Sequence, residues 1–205
     1  MQVLNKEMYH YHKEGKYDNV WIEGNTFTVD NSFHSFLGNI LYEFETVVPT
    51  TSGDRVAFDK ILKNIIEDDI ENIDKDYGLQ VLVTAQRILE NAAIYNREYA
   101  LEAYRKLHCP TLPSRLHSIW LCDTSSLKHW EPIFNDMGKF SLYKLLVSGQ
   151  LFQSSEYFLP QDGICLQDGL IEAYNYWNPS FHTPIEIEQK EYLFQGNVKI
   201  LEKIK

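Results

Sequence analysis

A carboxylate in an apolar stretch near the C-terminus is the first residue whose setting suggests chemistry. In "IEIEQKEYLFQG", residues 185–196, the alternation of a β-strand puts Gln189 and Glu191 on one face. Three aliphatic residues share that face: Ile185, Ile187 and Leu193. The other face also carries aromatic residues, so we expect a strand in the middle of its sheet. Taken alone, the pattern favours a strand-end carboxylate that reaches solvent or pairs with a lysine. The alternative is a carboxylate held in place to stabilise positive charge.

Two histidines near the N-terminus form a second candidate. "MYHYHKEG" puts His10 and His12 on the same face of a strand, next to Tyr9 and Tyr11 on the other face. This spacing suits two metal ligands, but the sequence offers no third ligand cluster. Ordinary structural histidines and a histidine that contacts a ligand remain equally open.

A third candidate is an arginine in a loop made rigid by proline. "LPSRLHSIWLCD" places Arg115 just before a strand that carries Ser118 and Trp120. An arginine held there could bind a phosphate in a bidentate way, and a tryptophan could cover a flat ring. The alternative is an arginine paired with a surface carboxylate and a tryptophan in the core.

Composition narrows the functional classes. The 205 residues carry 19 Lys and Arg against 29 Asp and Glu, a net charge of −10 that disfavours broad affinity for nucleic acid or anionic lipid. The stretch "EDDIENIDKD", residues 67–76, is acidic enough to be a solvated helix face or a contact for a basic partner. Three widely spaced cysteines, no signal-peptide pattern and no long apolar run predict a cytoplasmic protein that does not insert in a membrane.

The order of elements predicts one α+β domain over residues 1–205, with a helical segment at 54–108 inserted in its first half. We expect Ser52 or Asp54 to cap the first helix, and residues 79–108 to form one long helix or two consecutive ones. "SSLKHWEPIFNDM" predicts a short helix capped by Ser125 or Ser126. "FSLYKLLVSGQLF" predicts a pair of strands that turns at Ser148-Gly149.

Four segments, in order, resemble motifs of the ADP-ribosyltransferase superfamily, enzymes that split NAD at the nicotinamide glycosidic bond. They are "MYHYH", "RLHSIWLCDTSSLKHW", "FSLYKLLVSGQLF" and "EQKEYLFQGNVKIL", and the likeness covers about residues 7–30 and 113–205. The first histidine is not followed by the usual Gly-Thr or Gly-Ser, which leaves the choice between His10 and His12 open. The second strand also lacks a clear Ser-Thr-Ser.

The resemblance implies a fold in which two small mixed or antiparallel β-sheets form a cleft for NAD, with no metal. It implies that Glu191 is catalytic and that Gln189 orients the acceptor, with an amide or base-like acceptor favoured over arginine. It also implies contacts to NAD from His10 at a ribose, Arg115 at the pyrophosphate, Ser118, Trp120 and Tyr143 (or Trp130) around the nicotinamide, and Tyr11 beside the histidine.

The expected function is therefore an NAD-dependent mono-ADP-ribosyltransferase, a bacterial or phage-related toxin or effector. Its partners would be NAD, a protein or nucleic-acid acceptor, and an antitoxin or regulatory protein. The alternative is an inactive protein that kept the fold and contacts a basic partner through residues 67–76. A nuclease that uses His10 and His12 as acid and base is a third interpretation, but the sequence lacks a basic track.

Overall fold

The computed structural model describes residues 1–15, 18–33, 46–49, 54–67, 75–179 and 189–205. These residues contain the strands β1 (Gln2–Lys13), β2 (Thr26–Val29), β3 (Val47–Pro49), β4 (Arg55–Ala57), β5 (Ile119–Leu121), β6 (Phe140–Ser155) and β7 (Lys190–Lys203). They also contain the helices α1 (Phe58–Glu67), α2 (Lys75–His108), α3 (Leu127–Asp136) and α4 (Leu166–Trp177). The predicted α+β class is confirmed.

Five of the strands form one open antiparallel sheet. Its order is β1-β6-β7-β2, and β5 pairs with the first half of β7. A bridge between Tyr9 and Cys122 then joins β1 to the residue after β5, so the sheet curls towards itself. β3 and β4 form a separate two-stranded sheet.

Two glycines let the longest strands cross closely. Gly149 of β6 lies opposite Gly196 of β7. A Cβ atom on Gly196 would lie 2.6 Å from the carbonyl oxygen of Ser148, and its φ of +142° is unfavourable for other residues. The predicted turn at Ser148-Gly149 is therefore wrong: residues 140–155 form one continuous strand that pairs with β7 from Tyr143 to Ser155.

The two faces of this sheet bury different clusters. On the inner face, strand residues pack on one another, among them Met8, Leu145, Phe194 and Ile200. On the helix face, Phe152 and Leu193 pack against α2 and α4 through residues such as Leu101 and Trp177. Each fully buried large side chain of this kind stabilises the fold by about 1.5–3 kcal/mol.

Helices α2 and α4 meet at small residues, which brings them close to the sheet together. Gly169 of α4 sits where a Cβ atom would be 3.2 Å from the Cβ of Ala100 on α2. The indole of Trp177 donates to the carbonyl oxygen of Leu101 at 2.8 Å, and the Ser154 hydroxyl donates to the carbonyl oxygen of Tyr176 at 2.8 Å. These contacts fix the C-terminal part of α2 and the end of α4 over the sheet.

Several boundaries differ from the predictions. Residues 75–108 form one helix, which settles the choice between one and two. Asp54 cannot cap α1 because β4 lies between them, and Ser52 falls outside the described residues. Ser126 does precede α3, but its hydroxyl bonds to Asp123 instead of the helix.

Residues 68–74 and 185–188 also fall outside the described part of the chain. Within that part, no helix combines the length and apolar character needed to cross a membrane.

Candidate active site

The helix face of the sheet contains a buried cluster of four interacting side chains: Glu98, Arg115, Tyr176 and Glu191. Arg115 donates from Nε to Glu98 Oε2 at 2.8 Å and from Nη2 to Glu98 Oε1 at 3.2 Å. Its Nη1 donates to Glu191 Oε1 at 2.7 Å and also to the Tyr176 hydroxyl. The Tyr176 hydroxyl in turn donates to Glu191 Oε1. One guanidinium therefore links two carboxylates and a phenol.

Each member of this cluster comes from a different element. Glu98 lies on α2, Tyr176 in the last turn of α4, and Glu191 near the start of β7. Arg115 begins a short 3₁₀ turn, Arg115–His117, whose preceding residue Ser114 accepts a hydrogen bond from the backbone of Leu116. This cap fixes the direction in which the chain enters β5, and thereby the direction of the arginine.

The groups in the cluster shift one another's pKa values. Burial alone would lower the pKa of Arg115, but the neighbouring Glu98, Tyr176 and Glu191 raise that pKa well above its usual value. Burial raises the pKa of Tyr176 well above its usual value, so the phenol stays protonated and can donate. The cluster buries two carboxylates against one guanidinium, so removing Arg115 leaves two uncompensated charges, and removing Glu98 leaves two N–H groups of Arg115 without their acceptor in a dry region.

Aromatic rings enclose the arginine. The guanidinium carbon of Arg115 lies 4.7 Å from the ring centre of Tyr176 and 5.3 Å from that of Trp120. At these distances both rings attract the cation, and they also limit its motion. The Arg115 residue is only 3% exposed.

Glu191 is held through one oxygen. Both hydrogen bonds to its side chain fall on Oε1, and the side chain is 7% exposed. Among the described residues, Oε2 takes part in neither bond. The carboxylate is thus anchored on one side, and its second oxygen can serve a ligand.

Three of the sequence-predicted site residues are brought together here: Arg115, Trp120 and Glu191. Trp120 lies opposite Leu193 in the β5–β7 pairing, two residues from Glu191. Arg115 is paired with buried carboxylates, and not with the surface carboxylate that the sequence alternative envisaged. Ser118, at the entry to β5, is fully buried, and its hydroxyl is the one buried side-chain polar atom without a partner in the described chain.

Two other predicted residues lie on the inner face. His10 stacks on Trp21 with ring centres 4.6 Å apart, and Tyr143 lies opposite His10 in the β1–β6 pairing. His10 still reaches towards the cluster through the backbone, because its Nδ1 lies 2.8 Å from the carbonyl oxygen of Trp120. Burial lowers the pKa of His10 to about 4, with a smaller contribution in the same direction from His12.

The remaining predicted residues lie at the edges. Tyr11 points away from the inner face and stacks on Phe134 of α3 at 4.6 Å. Gln189 directly precedes β7 and is half-buried. Its backbone carbonyl oxygen accepts a hydrogen bond from the Ser155 hydroxyl at 3.1 Å. Trp130 donates from its indole to the carbonyl oxygen of Lys190 at 2.9 Å. Gln189 and Trp130 therefore both lie beside the first residues of β7.

The sequence interpretation missed Glu98 and Tyr176. A signal for Glu98 was available, because Glu98, Leu101, Glu102 and Arg105 recur at helical spacing, and a carboxylate that shares a face with a buried leucine needs a partner. Tyr176 had no such signal, since it lies among several aromatic residues at the end of its helix.

Metal ligation finds no support in the described ranges, which contain no group of three or more His, Cys, Asp or Glu side chains placed to hold an ion. His10 and His12, the pair with ligand-like spacing, both stack on Trp21 instead. His12 also contacts Asp18, with 2.9 Å between Nε2 and Oδ1.

A family model described as "Protein of unknown function (DUF2441)" matches residues 8–205, nearly the whole chain. No curated protein matches the sequence.

Proposed function

The chain belongs to the DUF2441 family of proteins of unknown function, and we propose that it is an NAD-dependent mono-ADP-ribosyltransferase. The observation that carries the proposal is the setting of Glu191. It is a buried carboxylate on an apolar strand, held at Oε1 by Arg115 and Tyr176, with Oε2 taking part in neither bond.

The chemistry needs such a group. Cleavage breaks the bond between the ribose C1′ and the nicotinamide nitrogen, and the bonding electrons leave with nicotinamide. Positive charge then develops on the ribose, as in glycoside hydrolysis. A fixed carboxylate in a poorly hydrated site stabilises this charge without reorganisation. The acceptor atom bonds to C1′ and releases its proton, which gives the ADP-ribosylated product.

Arg115 receives a different role from the one that the family resemblance implies. Four of its hydrogen bonds go to Glu98, Tyr176 and Glu191, so we assign it to holding the catalytic carboxylate and not to binding the pyrophosphate. Its fork shape suits this task, because separate N–H groups can serve the two carboxylates at once.

Other residues support the same proposal. The unpartnered hydroxyl of Ser118 and the ring of Trp120 belong to the strand that pairs with β7, which suits a nicotinamide pocket beside Glu191. His10 lies on the other face of the sheet and bonds to the backbone of Trp120, so we assign it to holding β5 in place and not to contacting a ribose. Gln189, two residues before Glu191, would orient the acceptor. In this proposal, β5 and the first part of β7 line the NAD cleft that the resemblance implies.

The acceptor would be a protein or a nucleic acid in the cytoplasm, as expected of a toxin or effector with a regulatory partner. To test the activity, purified protein is incubated with cell lysate and NAD labelled in its adenylate part. The proposal predicts free nicotinamide and label in a macromolecular fraction, and nuclease and protease treatment of that fraction would identify the acceptor class. Full recovery of intact NAD would contradict it.

A second candidate, a non-enzymatic interaction protein, is favoured by the N-terminal half of α2. Five large hydrophobic side chains are exposed there: Tyr77, Leu79, Leu82, Val83 and Leu89. The two candidates differ in their response to NAD. A ligand at a hundred times its Kd stabilises a protein by about 2.7 kcal/mol, so NAD should raise the Tm of an ADP-ribosyltransferase and leave that of a non-binding protein unchanged.

A further inference from the structure

We infer that Glu98, on α2, is a positioning residue for Glu191 and acts through Arg115. The inference rests on the proposed function, in which Glu191 is the catalytic carboxylate. It assigns a role to part of the helical segment 54–108, which the four motif segments do not cover.

Glu98 holds one edge of the Arg115 guanidinium. Its two oxygens accept from Nε and Nη2 of Arg115, at 2.8 and 3.2 Å. These two nitrogens define one edge of the planar guanidinium. Because that edge is occupied, Nη1 is the group left to reach β7, and it lies 2.7 Å from Glu191 Oε1.

Glu98 is itself fixed in position. Its side chain is fully buried, and Arg97 also donates from Nε to Glu98 Oε1 at 3.2 Å. Arg97 is held in turn by Asp162 at 2.8 Å. The side chain of Glu98 therefore cannot follow a moving Arg115, and the arginine is confined between Glu98, Tyr176 and Trp120.

The two bonds to Oε1 of Glu191 determine the direction of Oε2. Arg115 and Tyr176 approach the same oxygen of Glu191 from different elements, which leaves the carboxylate little freedom to rotate. If Glu98 is neutralised, Arg115 keeps Glu191 as its one charged partner within the cluster and can shift towards it. Oε1 would move with it, and Oε2 would turn away from the reacting ribose.

The test uses the full chain with Glu98→Gln and a matched control, Glu102→Gln. Glu102 lies one turn further along α2, is also buried and ion-paired, but bonds to Arg105 and Ser114 and not to Arg115. Because a misplacement of about 1 Å in a catalytic group can cost about 100-fold, Glu98→Gln should lower kcat for nicotinamide release about 100-fold. The KM for NAD should change less than about threefold, since substrate binding is not altered.

The control separates positioning from folding. Glu102→Gln removes a similar buried charge but keeps an amide oxygen that can accept from Ser114, so it should lower the Tm by a comparable amount and leave kcat within about threefold of wild type. Equal losses of kcat in the two variants would overturn the inference. If Glu98→Gln does not fold, Glu98→Asp keeps the charge but withdraws the carboxylate by one methylene, and it should show the same split between kcat and KM.

A second readout does not depend on activity. A guanidinium held on all sides rotates slowly, so the side-chain ¹⁵N NMR spectrum of wild type should resolve the separate Nη protons of Arg115. In Glu98→Gln these signals should merge, and the carboxyl ¹³C signal of Glu191 should shift. Unchanged signals would overturn the inference. If wild type does not cleave NAD but the NMR signals change in Glu98→Gln, the proposed function is refuted and the link between Glu98 and Glu191 is retained.

Discussion

Nδ1 of His10 and the carbonyl oxygen of Trp120 lie 2.8 Å apart, which joins the first strand of the sheet to a strand 110 positions later. A carbonyl oxygen can only accept, so Nδ1 carries the proton and Nε2 is the acceptor of the neutral ring. Because burial lowers the pKa of His10 to about 4, the ring is neutral at pH 7.

This pKa predicts a dependence of stability on pH. The usual pKa of histidine is 6.5 and that of folded His10 is about 4, so the unfolded chain takes up the proton first as the pH falls. The stabilisation is complete above pH 6.5 and is lost between pH 6.5 and about 4. At 1.36 kcal/mol per pH unit, the loss over this range is about 3 kcal/mol.

His10→Gln should remove that part of the pH dependence. Urea unfolding at pH 7 and pH 4.5 should show a smaller drop in the free energy of unfolding for His10→Gln than for wild type. His108→Gln is the control, because His108 is exposed at the end of α2, and it should keep the wild-type drop. An identical drop in all three proteins would show that His10 is not the titrating group.

A second prediction concerns the buried charge at Glu98. Glu98→Ala leaves Arg115 without the carboxylate that takes two of its N–H groups, and breaking a buried pair in this way costs about 3–5 kcal/mol. Glu90→Ala, on the exposed face of the same helix, should stay within about 0.5 kcal/mol of wild type. Chemical unfolding of the three proteins measures both values, and a loss below about 1 kcal/mol for Glu98→Ala would contradict the cluster as described.

The crossing of β6 and β7 gives a third prediction. In Gly196→Ala the new Cβ would lie 2.6 Å from Ser148 O and 2.7 Å from Gly149 Cα, so the strands must separate. Gly138→Ala has a similar φ, +127° against +142°, but nothing lies within 4 Å of its Cβ. The difference between the two variants isolates crowding from backbone strain, and we expect Gly196→Ala to be less stable by at least about 2 kcal/mol. Equal thermal stabilities would refute the close crossing.

Gln189 gives a fourth prediction, which depends on the proposed function. Because Gln189 would orient the acceptor and not the leaving nicotinamide, Gln189→Ala should reduce transfer of label to the acceptor more than hydrolysis of NAD by water. Gln195→Ala is a suitable control, since Gln195 lies on β7, which Gln189 precedes, and donates to the carbonyl oxygen of His117. Equal losses of transfer and hydrolysis in Gln189→Ala would argue against its role.

The sequence was sufficient for features that depend on local periodicity. Alternation alone predicts that Glu191 and Leu193 share one face and that Tyr192 and Phe194 share the other, and the two core clusters confirm it. The helical spacing of residues 79–108 likewise predicts helix α2, although not whether it is interrupted. Such patterns carry their information within a few residues.

Features that depend on distant partners were not predictable. Ser148-Gly149 has the composition of a turn, and only the approach of Gly196 in another strand explains why the glycine lies within β6 instead. Arg115 pairs with a carboxylate 17 positions before it and another 76 positions after it. No local pattern connects these residues, because the cluster exists only after α2, α4 and β7 have packed together.

The most direct test of the central claim measures nicotinamide release from NAD by wild type, Glu191→Gln and Glu202→Gln. The first substitution removes the charge that would stabilise the developing cation, and the second removes an exposed charge on the same strand. We predict that Glu191→Gln releases nicotinamide at least about 100-fold more slowly than wild type, in the range found for groups that stabilise transition-state charge. Glu202→Gln should release nicotinamide at the wild-type rate. Equal nicotinamide release by Glu191→Gln and wild type would contradict the assignment of Glu191 as the catalytic residue.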